Sequence, residues 1–236
     1  MQLLERAHAL HRVWRYRLRS ERQEIAYLLS RNLAGATVAD IGANRGIYSY
    51  WMHKAVGPTG NVVAFEPQPE LQTYLADLKR TFKLDHLTIV PKALSSAKGE
   101  RRLVRPKHHW GGASLHLDPH DGADSLAIQT TTLDEYFMSN PLRPLRFLKA
   151  DIQGHEFDCF LGGSHLLRID RPEILCESLD NELPQVAELL SRLEYRGYFF
   201  LRGKLTPLAE LPQLRKSIAS RYLNYVFLPA EAKQPV

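Results

Sequence analysis

A chain of 236 residues, 44% hydrophobic and 24% charged, has an ordinary globular composition and the length for one sizeable α/β domain with an extension. No apolar run approaches the roughly 18 residues that span a bilayer, and the net charge of +5 is too small to argue for nucleic acid. Two cysteines, Cys159 and Cys176, exclude a disulfide framework and a zinc cluster built of cysteine alone. The amino terminus lacks a signal peptide's apolar core, so a cytoplasmic location is expected.

Residues 1–34 carry no Gly or Pro. Leu3, Leu4, Ala7, Leu10, Val13, Trp14 and Leu18 recur at helical spacing, which predicts an amphipathic helical extension before a domain covering 35–236. Arg12, Arg15, Arg17, Arg19 and Arg22 make the other face basic. Such a face is commonly just solvated. It also suits peripheral contact with a membrane surface or an anionic, phosphorylated carrier.

Thr37 to Ile41 reads as a buried strand. The turn Gly42-Ala43-Asn44-Arg45-Gly46 follows, then a helix from Ile47 to Ala55. A helix start offers unpaired N–H groups and the positive end of the dipole, and glycines without Cβ let a ligand approach the backbone. After the turn Gly57-Pro58-Thr59-Gly60, a second strand, Asn61 to Phe65, ends in Glu66. A carboxylate roughly 20 residues past such a turn is placed to accept both hydrogen bonds of a ribose diol. The pair predicts a nucleoside site at the edge of an open α/β sheet.

The alternation continues. Pro69 to Phe82 is a helix with Leu71, Tyr74, Leu75 and Leu78 inward, and His86 to Val90 is a third strand. Arg101–Arg105 and Ala127–Thr131 are short strands around a polar loop, 106–124, of the length that often forms a functional lid. Leu145 to Ala150 is the fourth main strand, ending at Asp151. Glu173 to Cys176 is the fifth, ending at Glu177, which either faces an acceptor pocket or is buried and paired. Leu183 to Leu193 is a helix. Tyr198–Leu201 and Tyr225–Leu228 are late strands suited to an antiparallel hairpin closing the sheet edge. Strands alternating with helices imply a mostly parallel sheet with ligands at the carboxyl ends of its strands.

Read together, Asp40-Ile41-Gly42-Ala43-Asn44-Arg45-Gly46, Val63-Ala64-Phe65-Glu66-Pro67, Lys92-Ala93-Leu94-Ser95, Thr131-Thr132-Leu133-Asp134, the run from Leu148 to Glu156, and Asn224-Tyr225-Val226-Phe227-Leu228-Pro229 resemble the FkbM family of S-adenosylmethionine-dependent methyltransferases. The resemblance covers roughly residues 35–229. It implies a Rossmann-like, seven-stranded class I methyltransferase sheet with an antiparallel last strand. It implies S-adenosylmethionine as cofactor and O-methylation of a sugar, glycolipid or secondary metabolite as the reaction. By position, Asp40, Gly42, Asn44 and Gly46 would serve the donor, the glycines and Asn44 at its methionine part. Glu66 would hold the ribose, Ala93 and Leu94 would sit near the adenine, and Asp151 would lie near the sulfonium. Two positions depart from the pattern: Arg45 stands where the family usually has an aliphatic residue, and Gln153 where it usually has glutamate.

Transfer to a hydroxyl calls for alignment and a general base. His155, four residues past Asp151 and across Gly154, is a candidate base, with Asp151 orienting it or taking the proton itself. His108, His109, His116 and His120 with Asp118, Asp121 and Asp124 match no standard metal spacing, so no metal is expected. Trp110, between His109 and Gly111, is a candidate sugar platform or a loop anchor. Two other classes remain open: a nicotinamide oxidoreductase, which lacks the full Gly-x-Gly-x-x-Gly pattern, and a non-catalytic nucleoside-binding or carrier-docking protein. The expected partners are a small-molecule or glycan acceptor and no nucleic acid.

Overall fold

The computed structural model describes residues 2–107, 112–115, 123–215, 218 and 222–233. Its centre is an eight-stranded sheet. The strands are β1 (Thr37–Ile41), β2 (Asn61–Phe65), β3 (Leu87–Val90), β7 (Leu145–Ala150), β8 (Glu173–Leu179), β9 (Tyr195–Leu201), β10 (Lys204–Pro207) and β11 (Tyr222–Pro229). Their order is β10-β9-β11-β8-β7-β1-β2-β3. β8, β7, β1, β2 and β3 run parallel, and β11 runs antiparallel to both its neighbours. The sheet reverses its winding at β1, between β7 and β2. That switch point is where an open sheet leaves a crevice at the carboxyl ends of its strands.

Helices cover both faces. α1 (Gln2–Arg15), a π-helical turn at Tyr16–Ser20, α2 (Arg22–Ser30), α3 (Ile47–Val56) and α4 (Pro69–Phe82) precede β3. α5 (Leu133–Met138), α6 (Glu156–Leu161), α7 (Ser164–Asp170), α8 (Leu183–Arg192) and α9 (Leu211–Leu214) follow. Alternation along the strands splits the core as pleating requires. Ala39, Ile41, Val63 and Phe65 face the layer of Phe137, Phe160 and Leu190, while Val38, Val62 and Ala64 face Ile25, Leu28, Trp51 and Met52. No described helix is long and apolar enough to cross a membrane.

Several expectations are corrected. The sheet has eight strands, not seven, because the chain returns from β9 through β10 before reaching β11. β10 therefore forms the edge, and β11 slots between β8 and β9. The expected strands at 101–105 and 127–131 are longer, Gly99–Pro106 (β5) and Ala123–Thr131 (β6). With β4 (Ala93–Leu94) they form a separate three-stranded sheet. This shortens the expected 106–124 loop. His108, His109, Trp110, His116, Asp118, His120 and Asp121 lie outside the described residues. Tyr74 is not inward: it is 40% exposed while Leu71, Leu75 and Leu78 are buried.

The amino-terminal segment is two helices separated by the π-helical turn and a break at Glu21, not one continuous helix. Val13, Ile25 and Leu28 join the core, but Trp14 and Leu18 remain exposed. The segment is fastened by polar contacts as well. The Trp51 indole donates to the Val13 carbonyl at 3.3 Å, the Tyr27 hydroxyl donates to Glu173 at 2.8 Å, and Arg31 pairs with the same carboxylate.

Candidate functional site

Three strand ends build the site: Gly42 follows β1, Glu66 follows β2 and Asp151 follows β7. The backbone N–H groups of Gly42 and Ala43 both donate to the Phe65 carbonyl, which locks the first turn onto β2. Asn44 adopts φ +50° and donates its N–H to Glu66 Oε2 at 2.9 Å. Gln68 N–H donates to Glu66 Oε1 at 2.9 Å. Glu66 is thus a buried carboxyl held by two backbone donors. Burial outweighs both and pushes its pKa up to about 7.

The two glycines are required for a reason other than ligand approach. A Cβ on Gly42, at φ +74°, would lie 2.1 Å from the Asp151 carbonyl oxygen. A Cβ on Gly46, at φ +77°, would lie 2.6 Å from Leu78 Cδ2 and 2.7 Å from Leu75 Cδ2. The first glycine lets the ends of β1 and β7 meet, and the second seats α3 against α4.

Ile41, Gly42, Asn44, Phe65, Glu66, Ala93, Leu94, Asp151 and His155 line one cavity, closed on its far side by Leu103, Ala113 and Leu115. Of the donor residues expected from the sequence, Gly42, Asn44, Glu66, Ala93, Leu94 and Asp151 therefore meet. Asp40 and Gly46 stand behind the turn. Asp40 is fully buried and accepts from the Ser49 hydroxyl at 2.6 Å, and its other oxygen has no hydrogen-bond partner among the described residues. Burial raises its pKa.

The residues suit S-adenosylmethionine. The Glu66 carboxyl, the apolar side chains of Phe65, Ala93 and Leu94, and Asp151 line the one cavity, and their chemistry is that which a ribose, an adenine and a sulfonium would call for. The cavity is narrow, about 60 Å³, below the roughly 300 Å³ at which ligand pockets begin. Its outer wall is β5 with residues 112–115; β5 pairs along its length with β6, and Arg105 ties it to Glu70 on α4. Val104 bridges Ser114, and the Ser114 hydroxyl donates to the Gln153 carbonyl at 2.8 Å.

At the acidic end, Asp151 accepts from Lys149 Nζ at 3.1 Å and from Gln153 Nε2 at 3.1 Å. Glu177, on β8, shares a hydrogen bond with Asp151. Burial and the neighbouring Asp151 charge push Glu177 up to about 8, so at neutral pH the pair holds one proton. Lys149 is buried beneath the Tyr48 ring, 4.7 Å from its centroid. Burial lowers the pKa of Lys149, but Asp151 and Asp40 more than reverse this and hold the ammonium charged. The Tyr48 hydroxyl donates to Glu21 at 2.9 Å. Asp151 also lines a second cleft of about 420 Å³ with Arg12, Arg15, Arg45, Tyr48, Tyr74 and Lys149, and Gly42 and Asn44 of the turn border this cleft as well as the first cavity.

His155 caps α6 and is buried. Its Nε2 lies 2.9 Å from the Ser95 hydroxyl and its Nδ1 lies 3.5 Å from Asp158 Oδ2. The turn before it, with Gln153 at φ +52° and Gly154 at φ +95°, is held by Glu156, whose carboxyl accepts from the N–H groups of Ile152 and Gly154. Burial pushes Glu156 up to about 7. Among the described residues, no three His, Cys, Asp or Glu side chains converge as a metal site. Sequence reasoning passed over Lys149, Tyr48 and Glu156. Lys149 left one signal, a cation beside Ala150 in a strand whose other cation, Arg146, falls on an exposed position.

A methyltransferase FkbM domain model matches residues 40–200. The fold is similar to a methyltransferase FkbM from Methylobacillus flagellatus KT, with TM-score 0.58 and 15% identity, covering 84% of this chain and 45% of that one. It is also similar to a putative rRNA-methylase from Clostridium thermocellum, with TM-score 0.55, 12% identity and coverage of 89% and 96%. A precorrin-6y C5,15-methyltransferase from Geobacter metallireducens GS-15 follows, with TM-score 0.52, 13% identity and coverage of 86% and 84%. The chain thus spans less than half the length of the FkbM protein it resembles. No curated protein matches it. With the family's model running from the end of β1 to the end of β9, more than half the sequence, the chain belongs to the FkbM family of S-adenosylmethionine-dependent methyltransferases.

Proposed function

We propose that the protein transfers a methyl group from S-adenosylmethionine to a hydroxyl of a sugar, glycolipid or secondary metabolite. The observation that carries this reading is the position of Asp151. It lines both the donor cavity and the 420 Å³ cleft, and it shares a proton with Glu177. A hydroxyl acceptor needs a base at the point where donor and acceptor meet, and a carboxyl pair whose last proton leaves near neutral pH is suited to that work.

In this reading Gly42, Asn44, Glu66, Ala93 and Leu94 hold the donor, which supplies an electrophilic methyl group when bound. The Asp151–Glu177 pair, free of its proton, accepts the hydroxyl proton as the acceptor oxygen attacks. Lys149 and Gln153 hold Asp151 in place from two sides. Lys149 also offsets the charge that the pair carries once it is deprotonated. His155, engaged by Ser95 and Asp158, positions the donor side of the cavity. The test is incubation with donor labelled in the methyl group and a panel of hydroxylated glycans and metabolites. An ether-linked labelled methyl on one of them is the expected product. Tight donor binding with no transfer across the panel and across cell extracts would overturn the reading.

A further inference from the structure

The 420 Å³ cleft carries a charge pattern that donor binding does not use up. Arg12 and Arg15, on α1, and Arg45, in the β1–α3 turn, all line it. None of the three forms an ion pair with a described carboxylate. The acidic groups in the same wall are already engaged, Glu21 by the Tyr48 hydroxyl and Asp151 by Lys149 and Gln153. The Arg45 guanidinium lies 5.0 Å from the Tyr74 ring centroid, a cation–π contact that gives the exposed ring on α4 a partner. Arg45 also occupies the turn position at which the family pattern led to an aliphatic residue.

From this geometry we infer that Arg12, Arg15 and Arg45 form a phosphate-binding subsite, and that the methyl acceptor is a hydroxylated molecule bearing a phosphate or phosphodiester. This rests on the methyl-transfer reading above. Guanidinium forks match phosphate oxygens in pairs, and three arginines lining one cleft suit a group with several anionic oxygens. Partial burial lowers the pKa of Arg12, and the charges of Arg45 and Arg15 lie close enough to lower it further. The methionine end of the donor is a poor match for the cluster. It is a zwitterion with one carboxylate, and it would leave most of three positive charges unanswered. Gly42, Asn44 and Asp151 border both cavities, so an acceptor anchored by phosphate at the arginines can bring a hydroxyl to the carboxyl pair while the donor fills the first cavity beside it.

The test uses the full chain saturated with S-adenosylhomocysteine and titrated calorimetrically with inorganic pyrophosphate. Wild type is expected to bind. Arg12→Ala and Arg45→Met are each expected to weaken pyrophosphate at least tenfold, with Arg45→Lys recovering part of the loss. Product affinity should stay within threefold of wild type in all of them. Arg202→Ala, in a separate basic groove lined also by Arg19, Arg22 and Lys204, should change neither. The inference is overturned if wild type does not bind pyrophosphate, or if Arg202→Ala weakens it as much as Arg45→Met does. It is also overturned if the arginine variants lose product affinity instead, since the cluster would then hold the donor's carboxylate. Labelled transfer to phosphorylated acceptors before and after phosphatase treatment, presented in water or in phosphatidylglycerol vesicles, separates soluble from lipid-linked sources. Pyrophosphate binding with the expected variant pattern, but no methyl transfer to any acceptor, would fault the methyltransferase reading and leave the subsite standing.

Discussion

Glu177, on β8, and Asp151, just past the end of β7, share a hydrogen bond across adjacent parallel strands, with Lys149 on the other side of Asp151. The register that pairs Ala150 with Cys176 brings the next two residues side by side. Like charges this close cannot both ionise easily, so one proton stays until the pH rises past about 8. If the unprotonated pair is the base, the methyl-transfer rate rises with pH to a plateau above about 8. Glu177→Gln removes the shared proton and leaves Asp151 beside a neutral amide and a cation. Its pKa then falls, the acidic limb moves well below pH 8, and the plateau rate drops by roughly 10- to 1000-fold because a weaker base remains. A pH–rate profile for Glu177→Gln with the limb still near 8 would assign that limb to another group.

If Glu66 holds the donor's ribose, donor binding has a pH dependence of its own. Its folded pKa, about 7, lies above the ordinary value because burial disfavours the charged form. For stability the sign follows directly. The contribution from the neutral carboxyl is complete below the ordinary carboxylate range and disappears as the pH rises through about 7. Donor affinity runs the other way, since a ribose diol donates to the carboxylate and not to the acid. S-adenosylhomocysteine is expected to weaken up to about tenfold for each pH unit below 7, as binding must then expel a proton. Glu66→Ala should cost about 1–3 kcal/mol of donor affinity and flatten that dependence. Calorimetry at pH 6 and pH 8 on both proteins decides it.

Gln153 donates its amide to Asp151 at 3.1 Å, where a carboxylate would add a negative charge. A neutral donor at this position suits a proton-accepting pair better than a divalent cation site. Turnover is therefore expected to continue in a chelator, and Gln153→Glu is expected to push the acidic limb to higher pH. Loss of activity on chelation with recovery on added magnesium would show that a metal takes part.

The glycine contacts rank two substitutions. Gly42→Ala drives a methyl group into a backbone carbonyl, whereas Gly46→Ala meets the ends of two leucine side chains, which can rotate away. Both also place a side chain at positive φ, a strain of about 1–3 kcal/mol. Gly42→Ala is expected to lower the melting temperature further than Gly46→Ala, by several degrees at this chain length. Because the Gly42 clash moves Asp151, its methyl-transfer rate should fall as well. Equal melting temperatures would mean that the β1–β7 junction relaxes freely.

What could be read from sequence was local. The strand, turn and helix at 37–56, Glu66 at the end of the next strand and Asp151 at the end of the fourth each depend on spacing within one βα unit, and the helical and strand periods report such units directly. The contacts that were not legible join residues far apart in the chain. β11 enters the sheet between β8 and β9, β5 and β6 leave it for a sheet of their own, and Glu177 reaches Asp151 only through the register of two strands 26 residues apart. Arg12 reaches the cleft because α1 folds back over α3, anchored by Val13 and Trp51. Tyr74 fits the apolar stripe of α4, but it lies under Arg45 at the surface, a partner that helical periodicity cannot reveal.

His155 offers the last separation. Its ring is buried between the Ser95 hydroxyl, 2.9 Å from Nε2, and Asp158, 3.5 Å from Nδ1, and it lines the donor cavity with Ala93 and Leu94. Ser95 directly follows β4, so the imidazole ties the start of α6 to the strand that carries the adenine side. His155→Ala is then expected to weaken S-adenosylhomocysteine by about 3- to 30-fold, the effect of losing one buried hydrogen bond and its packing, while the pH–rate profile keeps its limb near 8. His155→Asn, which can still bond Ser95, should recover part of the donor affinity. The opposite result would be normal donor affinity with a rate reduced by roughly 10²–10⁴ and the acidic limb lost. That outcome would make the imidazole the base and reduce the Asp151–Glu177 pair to a support for it.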